Sequence, residues 1–260
     1  MTMLYALCSA HGSPGVSTTA LALALTWPRD AILVEADTVG YSPTLAGYFA
    51  GRIAPTATLI DFLPGPDLEE QLLHQSIPLT GEQDRIRRVI PGLLNPLQGR
   101  ALATRWDMLG FAFRELDRAG IDVIADLGRL HAPYCATALL HSADLSMLLL
   151  RPTIPSVMAV RAALAHRTDT ADQDTTIPSL HLVAVDAPGT YSARETRATI
   201  KRPLLGTVPW SPKTAMHLSS GSPRPRNFES SRHLKSIHRL ASLAYKTATT
   251  RRTLLAGEIS

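Results

Sequence analysis

The sequence contains no lysine before its last quarter. Of the 26 basic residues only four are lysines, namely Lys201, Lys213, Lys235 and Lys246. The first 200 residues therefore contain no lysine that could hold a phosphate, act as a catalytic base or form a Schiff base. A GC-rich genome, which favours arginine over lysine, is an alternative explanation of the same composition.

Cysteine and long apolar runs are also scarce. Cys8 and Cys135 are too few for a metal cluster or a disulfide scaffold, and the nine histidines show no metal-binding spacing. The apolar run around Met147–Leu150 is too short to span a bilayer. The first residues lack the basic region of a signal peptide. We therefore expect a cytoplasmic protein, for which a membrane is not an expected partner.

Charge divides sharply along the chain. Residues 1–200 carry 15 basic and 20 acidic side chains, whereas residues 201–260 carry 11 basic and 2 acidic ones. Such a basic region is suited to nucleic acid, anionic lipid or an acidic partner. A solvated arginine-rich surface explains the same excess, because the closing helix also has an apolar stripe that can pack on a sheet.

Short apolar runs alternate with amphipathic stretches, which predicts a doubly wound, mostly parallel α/β sheet flanked by helices. We expect one domain over residues 1–250 and a C-terminal tail over residues 251–260. The predicted strands are Met3–Ser9, Ala31–Glu35, Arg88–Ile90, Ile121–Asp126, Leu145–Leu150, His181–Val185 and Leu204–Val208. The predicted helices are Ser17–Thr26, short ones near Leu45 and Leu68, Ala101–Ala119 and Ser230–Thr250.

A glycine-containing loop joins the first predicted strand to the first predicted helix, in the sequence SAHGSPGVSTTALALAL. Small residues let backbone N–H groups surround a phosphate in front of the positive end of a helix. Ser17 supplies the hydroxyl that such loops use for magnesium, but Val16 stands where they carry a lysine. A Gly/Ser turn that only caps a helix has a similar pattern.

Three further features follow predicted strands. Asp37 comes just after the second strand, Asp126 ends a buried strand, and a G-T-V-P-W segment ending at Trp210 closes the last strand. The carboxyl ends of parallel strands meet at one edge of a sheet, where open α/β sheets bind ligands. We therefore expect these residues to line one crevice with the glycine loop.

This ordered set resembles the ParA/MinD group of deviant Walker A ATPases, over roughly residues 3–250. In that group the loop has the form K-G-G-x-G-K-[S/T]-T, followed by a V-D-x-D strand end, a Walker B aspartate and a late G-x-V-P segment. The positions that match are Gly12, Gly15, Ser17, Thr18, Glu35, Asp37, Asp126, Gly206, Val208 and Pro209. Asp186 lies near the place where the family often carries an asparagine that recognises adenine.

The resemblance implies ATP or ADP with magnesium as the cofactor. It implies that Ser17, Asp37 and Asp126 hold the metal, and that Asp37 positions water in an active enzyme. The implied nucleotide-binding residues are His11, Gly12, Ser13, Gly15, Val16, Ser17, Thr18, Asp186, Pro209 and Trp210. If the hydroxyl and carboxylates serve only as caps of loops and a helix, the protein has no cofactor.

Three loop positions depart from the family pattern. His11 replaces the signature lysine, Ser13 replaces the second glycine and Val16 replaces the phosphate lysine. Charge stabilisation supplies most of the catalysis of phosphoryl transfer, so the loss of two cations predicts inefficient hydrolysis. A protonated His11 or Arg129, which follows Asp126, can substitute only in part.

The resulting prediction is a non-catalytic or weakly nucleotide-binding scaffold or regulator in positioning, partition or assembly of a larger machine. It would act as a homodimer, or as a heterodimer with a related ATPase, and bind a protein of that system. Two alternatives stay open. One is an active ATPase in which arginine or a partner replaces the lysines, and the other is a partition-type protein that binds DNA through the basic C-terminal region.

Overall fold

A computed structural model describes residues 2–257, except residues 63, 64, 66, 82–84, 115, 117–119, 166–176 and 178. The strands are β1 (Leu4–Ser9), β2 (Ala31–Glu35), β3 (Ile77–Pro78), β4 (Arg87–Ile90), β5 (Asp122–Arg129), β6 (Leu145–Leu150), β7 (Leu180–Asp186) and β8 (Leu204–Pro209). They form one sheet in the order β3-β4-β2-β5-β1-β6-β7-β8. Every neighbouring pair is parallel except β3 with β4. The predicted doubly wound, mostly parallel sheet is confirmed.

Helices cover both faces of this sheet. They are α1 (Val16–Thr26), α2 (Leu68–Gln75), α3 (Gly99–Ala103), α4 (Trp106–Arg114), α5 (Thr137–Ser142), α6 (Ile154–Ala165), α7 (Ala193–Ile200), α8 (Pro212–Ser220) and α9 (Arg232–Gly257). Single turns lie at Thr44–Tyr48, Leu59–Asp61 and Pro96–Gln98. The short helices predicted near Leu45 and Leu68 correspond to the turn at residues 44–48 and to α2.

The central strand β1 divides the apolar core into two layers. Side chains of a strand alternate between the two faces of its sheet. Leu4 and Cys8 belong to a cluster that includes residues of α3, α4 and α5. Tyr5 and Leu7 belong to a second cluster that includes residues of α1, α8 and α9. Because it is buried on both faces, β1 is apolar throughout apart from Ser9 at its end.

The order of the strands also positions the loop after β1. The neighbours of β1 are β5 on one side and β6 on the other. The chain reaches β2 and β5 on the first side before it crosses to β6, so β1 lies at the point where the strand order reverses. Ligands bind at such a point in open α/β sheets, outside the carboxyl ends of the strands.

The helix predicted over Ala101–Ala119 is interrupted. It consists of α3 and α4, separated by a turn in which Arg105 N donates to Leu102 O. The guanidinium of Arg105 donates to the carbonyl of Ile60, at 3.3 Å. Local pattern could not predict this contact with a distant turn. Residues 115 and 117–119 of the predicted helix lie outside the described residues.

The closing helix is longer than predicted. It runs over Arg232–Gly257 rather than ending at Thr250, so residues 251–257, expected in a tail, are helical. Arg251 donates to the carbonyl of Asp144 and Arg252 to that of Thr2, which fixes this end of α9 to the amino edge of the sheet. Of the helices in the described part of the chain, none is both long and apolar enough to cross a membrane.

Candidate functional site

The loop between β1 and α1 lies exposed at the carboxyl edge of the sheet. Gly15 immediately precedes α1 and has a φ of 99°. Residues other than glycine strongly disfavour this conformation. The carbonyl of Gly15 accepts the N–H of Thr19, at 2.9 Å, and so begins the helix. His11 and Ser13 are exposed on this loop, and its backbone is accessible in front of the helix N-terminus.

The two positions where the family carries lysine differ in their surroundings. His11 is exposed at the tip of the loop. Val16 is only 6% exposed and packs into the core layer that contains α1, α8 and α9. An apolar side chain thus takes the place of the phosphate lysine, with Thr18 partly buried in the same first turn of α1.

Ser17 and Asp126 lie together beneath the loop. The side chain of Ser17 lies beside the Asp126 carboxylate, where its hydrogen bonding lowers the pKa of Asp126, and Asp126 Oδ1 accepts the N–H of Gly128 at 3.0 Å. Burial raises the pKa of Asp126 to about 7, and the nearby charges of Asp37 and Glu35 act in the same direction, against these hydrogen bonds. Asp126 is therefore a titratable group near neutral pH.

Asp37 completes the set predicted to hold magnesium. Its carboxylate packs against Gly128, where a Cβ would lie 1.9 Å from Asp37 Oδ2, and Gly128 has a φ of 61°. A side chain at position 128 would therefore displace Asp37. Burial raises the pKa of Asp37, and the hydrogen bond from Val39 N and the charge of Arg129 lower it. The structure thus brings Asp37, Asp126 and Ser17 to one place.

These residues do not make a complete metal site by themselves. The described residues contain no group of three histidine, cysteine or carboxylate side chains that could hold a metal ion. Magnesium commonly binds through one or two carboxylates together with phosphate oxygens and water. The residues present therefore fit magnesium only together with a phosphate-bearing ligand.

Glu35 has a structural role that its place in the motif does not predict. Its Oε1 accepts the N–H of Thr44 at 2.8 Å, and its Oε2 accepts the N–H of Gly92 at 3.0 Å. Burial raises its pKa, while these hydrogen bonds and those of Ser42 lower it. With both oxygens occupied, Glu35 joins the loops after β2 and β4.

The residues predicted to contact the adenine base, namely Asp186, Pro209 and Trp210, lie beyond β6 in the sheet, at the ends of β7 and β8. They are called the base-side residues below. Pro209 ends β8 opposite Asp186, which ends β7. The carbonyl of Asp186 accepts the N–H of Trp210 at 2.7 Å, and Trp210 is 39% exposed. His233 Nδ1 lies 3.0 Å from the carbonyl of Pro209, which joins this segment to α9. An exposed aromatic ring and a proline therefore stand beside an exposed carboxylate.

Two arginines contact the glycine loop. Arg129, the last residue of β5, donates to the carbonyl of Gly12 at 3.4 Å. Arg151, directly after β6, donates to the carbonyl of Ser13 at 3.2 Å, and its Cζ lies 4.2 Å from the centre of the Trp210 ring. Arg151 is not among the site residues predicted from the sequence. The available signal was a charged residue directly after an apolar strand, at the edge where ligands were expected.

A cleft of about 490 Å³ adjoins the base-side residues. Basic side chains of α9 form one wall, and the ends of β7 and β8 form the other. Its lining residues are Asp186, Thr207, Pro209, Ser230, Arg232, Lys235, Ser236 and Arg239.

Known structures share this architecture. One is the cell division ATPase MinD of Pyrococcus furiosus, which is 18% identical in sequence. The match covers 95% of this chain and 99% of the MinD chain, with a TM-score of 0.70. The septum site-determining protein MinD of Pyrococcus horikoshii, complexed with Mg-ADP, is 16% identical over 96% of this chain and 99% of its own, with a TM-score of 0.67. A McdA variant of Cyanothece in complex with ATP is 12% identical over 95% of this chain and 97% of its own, with a TM-score of 0.64.

No protein-family model matches the chain, and no curated protein matches it by sequence. At these identities the structural likeness shows the fold. The resemblance to ParA/MinD ATPases that the motifs predicted is therefore confirmed at that level, as a P-loop fold of the ParA/MinD type.

Proposed function

We propose that the chain is a ParA/MinD-like protein that binds a magnesium nucleotide weakly and hydrolyses it poorly or not at all. It acts as a scaffold or regulator in the positioning, partition or assembly of a larger machine. One observation carries this proposal: Ser17, Asp37 and Asp126 lie together, while Val16 is packed into the core at the lysine position.

In this proposal each part of the nucleotide has its own set of contacts. The loop from Gly12 to Ser17 would receive the phosphates on its backbone N–H groups, at the N-terminus of α1. Ser17 and Asp126 would hold magnesium, which neutralises phosphate charge when bound. Trp210 and its neighbours at the ends of β7 and β8 would contact the base. Complexes of similar proteins with Mg-ADP and with ATP support this choice of ligand.

Slow turnover follows from the missing lysines. Removing one preorganised donor from a developing charge typically costs about 2.7–4 kcal/mol of barrier, or roughly 100- to 1,000-fold in rate. Neither His11 nor Val16 supplies the permanent cation that a lysine would, so both contributions are lost. Asp37 can still orient water beside Asp126, but the phosphoryl group that is transferred lacks the lysine contacts of the family pattern.

Isothermal titration calorimetry tests the binding step. Titration with Mg-ATP should give a weak binding isotherm that disappears in EDTA and is weakened by Ser17→Ala. A matched control is Ser242→Ala, since the Ser242 hydroxyl donates to the carbonyl of His238 in its own helix. Absence of a binding isotherm for the wild-type protein at millimolar Mg-ATP would refute the proposal.

Exposed apolar side chains on the carboxyl-edge loops support dimerisation through this face. Such a patch beside a ligand site is typical of protein interfaces. The loops after β2 and β4 are in contact, because Gly40 lies directly against Pro96. The large apolar side chains exposed on the loops after β2, β4 and β5 are Val39, Tyr41, Leu94, Leu97 and Tyr134.

DNA binding is a second candidate function, favoured by the basic wall of the cleft. Arg232, Lys235 and Arg239 are exposed at helical spacing on α9 and line it together. A double Lys235→Glu/Arg239→Glu variant should lose affinity for a random duplex in fluorescence anisotropy, and wild-type affinity should fall steeply with salt. Arg194→Glu, an exposed site on α7, serves as the control. Wild-type affinity that ignores salt would exclude this function.

A further inference from the structure

Arg129 and Arg151 flank the glycine loop from its two sides. Arg129 is the last residue of β5 and Arg151 directly follows β6, and these are the strands on either side of β1. Their guanidinium groups donate to neighbouring carbonyls of the loop, those of Gly12 and Ser13. Two permanent positive charges therefore lie at the mouth of the loop, which has lost both lysines of the family pattern.

Arg151 also connects the loop to the base side of the site. Its guanidinium lies over the exposed ring of Trp210, with 4.2 Å between Cζ and the ring centre. Stacking on an aromatic face orients the guanidinium plane and leaves its edge free to donate hydrogen bonds. The backbone of Trp210 is held by the hydrogen bond from its main-chain N–H to the carbonyl of Asp186.

The hydrogen bonding of Arg151 is incomplete. Its Nε is buried and has no hydrogen-bond partner among the described residues. A buried donor without an acceptor is unfavourable, and a guanidinium offers five donors in a fork that matches phosphate oxygens. An anion in the mouth of the loop would supply the missing acceptor. Asp37 and Asp126 lie near Ser17 on the β5 side of β1, whereas Arg151 follows β6 on the other side.

We propose that Arg151, oriented by Trp210, binds the terminal phosphates of the nucleotide in place of the lysine absent at position 16, with Arg129 as the second cation. This inference rests on the proposed nucleotide binding and names the residue that provides it. It fits slow turnover, because a cation that binds substrate and transition state equally well strengthens binding without accelerating the reaction.

Calorimetry with ATP, ADP and adenosine tests the assignment. For the wild-type protein, affinity should rise with the number of phosphates. Arg151→Ala should weaken ATP and ADP binding by about 10- to 100-fold, as expected for a lost hydrogen bond to a charged group, and leave adenosine binding unchanged. Arg151→Lys should restore part of the loss, since an ammonium group keeps the charge but not the fork or the stacking.

Two further variants guard against indirect effects. Arg161→Ala removes an exposed arginine from α6 and should leave all three affinities unchanged. Trp210→Ala should weaken adenosine binding, because the proposal places Trp210 against the base, and should weaken ATP binding further, because it also releases the guanidinium of Arg151. If Arg151→Ala does not fold, as judged by thermal unfolding, Arg151→Gln keeps more of the side-chain volume than alanine does and removes both the charge and the guanidinium fork.

The outcomes separate this inference from the proposed function. A wild-type protein that binds no nucleotide overturns both. Wild-type binding of ATP that Arg151→Ala leaves unchanged overturns the role of Arg151 alone. Tighter binding by Arg151→Ala also overturns it, because the guanidinium would then obstruct the site. An equal loss of ATP and adenosine affinity would assign Arg151 to the base.

Discussion

Replacing Asp126 by asparagine removes a buried carboxylate from β5 while keeping the shape of the side chain. We predict that Asp126→Asn stabilises the nucleotide-free protein at neutral and alkaline pH and has little effect at acidic pH. The new amide can still accept the N–H of Gly128 through its oxygen. Its NH₂ group can donate to the hydroxyl oxygen of Ser17, which lies beside the carboxylate.

The magnitude follows from the pKa of Asp126. Its ordinary value is 3.8 and burial raises it to about 7 in the folded protein. Because the folded state holds this proton more tightly than the unfolded chain, stability is lost as pH rises from about 4 to about 7. At roughly 1.36 kcal/mol per unit, the ionised carboxylate costs about 4 kcal/mol above that range. The asparagine variant does not ionise and avoids this loss.

Urea unfolding monitored by tryptophan fluorescence measures the effect. Between about pH 5 and about pH 8.5, the stability advantage of Asp126→Asn over the wild-type protein should grow by about 2–3 kcal/mol. Asp107→Asn, an exposed site on α4, should show no such growth. The reasoning is refuted if the difference between Asp126→Asn and wild type is the same at both pH values, or if the variant is less stable at the higher one.

Two further predictions concern the loops around the site. Leu97 is 81% exposed, and Leu97→Asp should shift the protein from dimer to monomer in light scattering without changing its thermal stability; a wild-type protein that is monomeric with and without ATP would contradict the interface. Glu35→Ala leaves the buried N–H groups of Thr44 and Gly92 without their acceptor, so unfolding in urea should show a loss of about 2–6 kcal/mol, whereas a loss below about 1 kcal/mol would exclude this bridging role.

The sheet could be predicted from the sequence because its central strands are buried on both faces. Such strands are continuous apolar runs, and β2 and β6 were predicted with their observed bounds, Ala31–Glu35 and Leu145–Leu150. The short strand β3 was missed, since two residues with a proline carry no such signal. Helix α7 was also missed, although Ser192 and Glu195 form a capping box that marks its start.

The site could be predicted only where a motif carries it. Asp37 follows β2 and Asp126 lies in the second half of β5, which runs on to Arg129 rather than ending at Asp126 as predicted. Their meeting near the carboxyl edge required only a parallel sheet. The position of Arg151 beside Ser13 required the order β5-β1-β6, which no local pattern contains. The same holds for Glu35, whose hydrogen bonds reach loops far along the chain.

Phosphate release at saturating Mg-ATP measures whether the protein hydrolyses the nucleotide. The wild-type protein and Asp37→Asn, which lacks the carboxylate that would position water, should be measured side by side at the same protein concentration. We predict that both release phosphate at the same background rate, although the wild-type protein binds the nucleotide. If the wild-type protein releases phosphate clearly faster than Asp37→Asn, the proposed lack of efficient hydrolysis is wrong. The protein is then an active ATPase in which arginines replace the lysines.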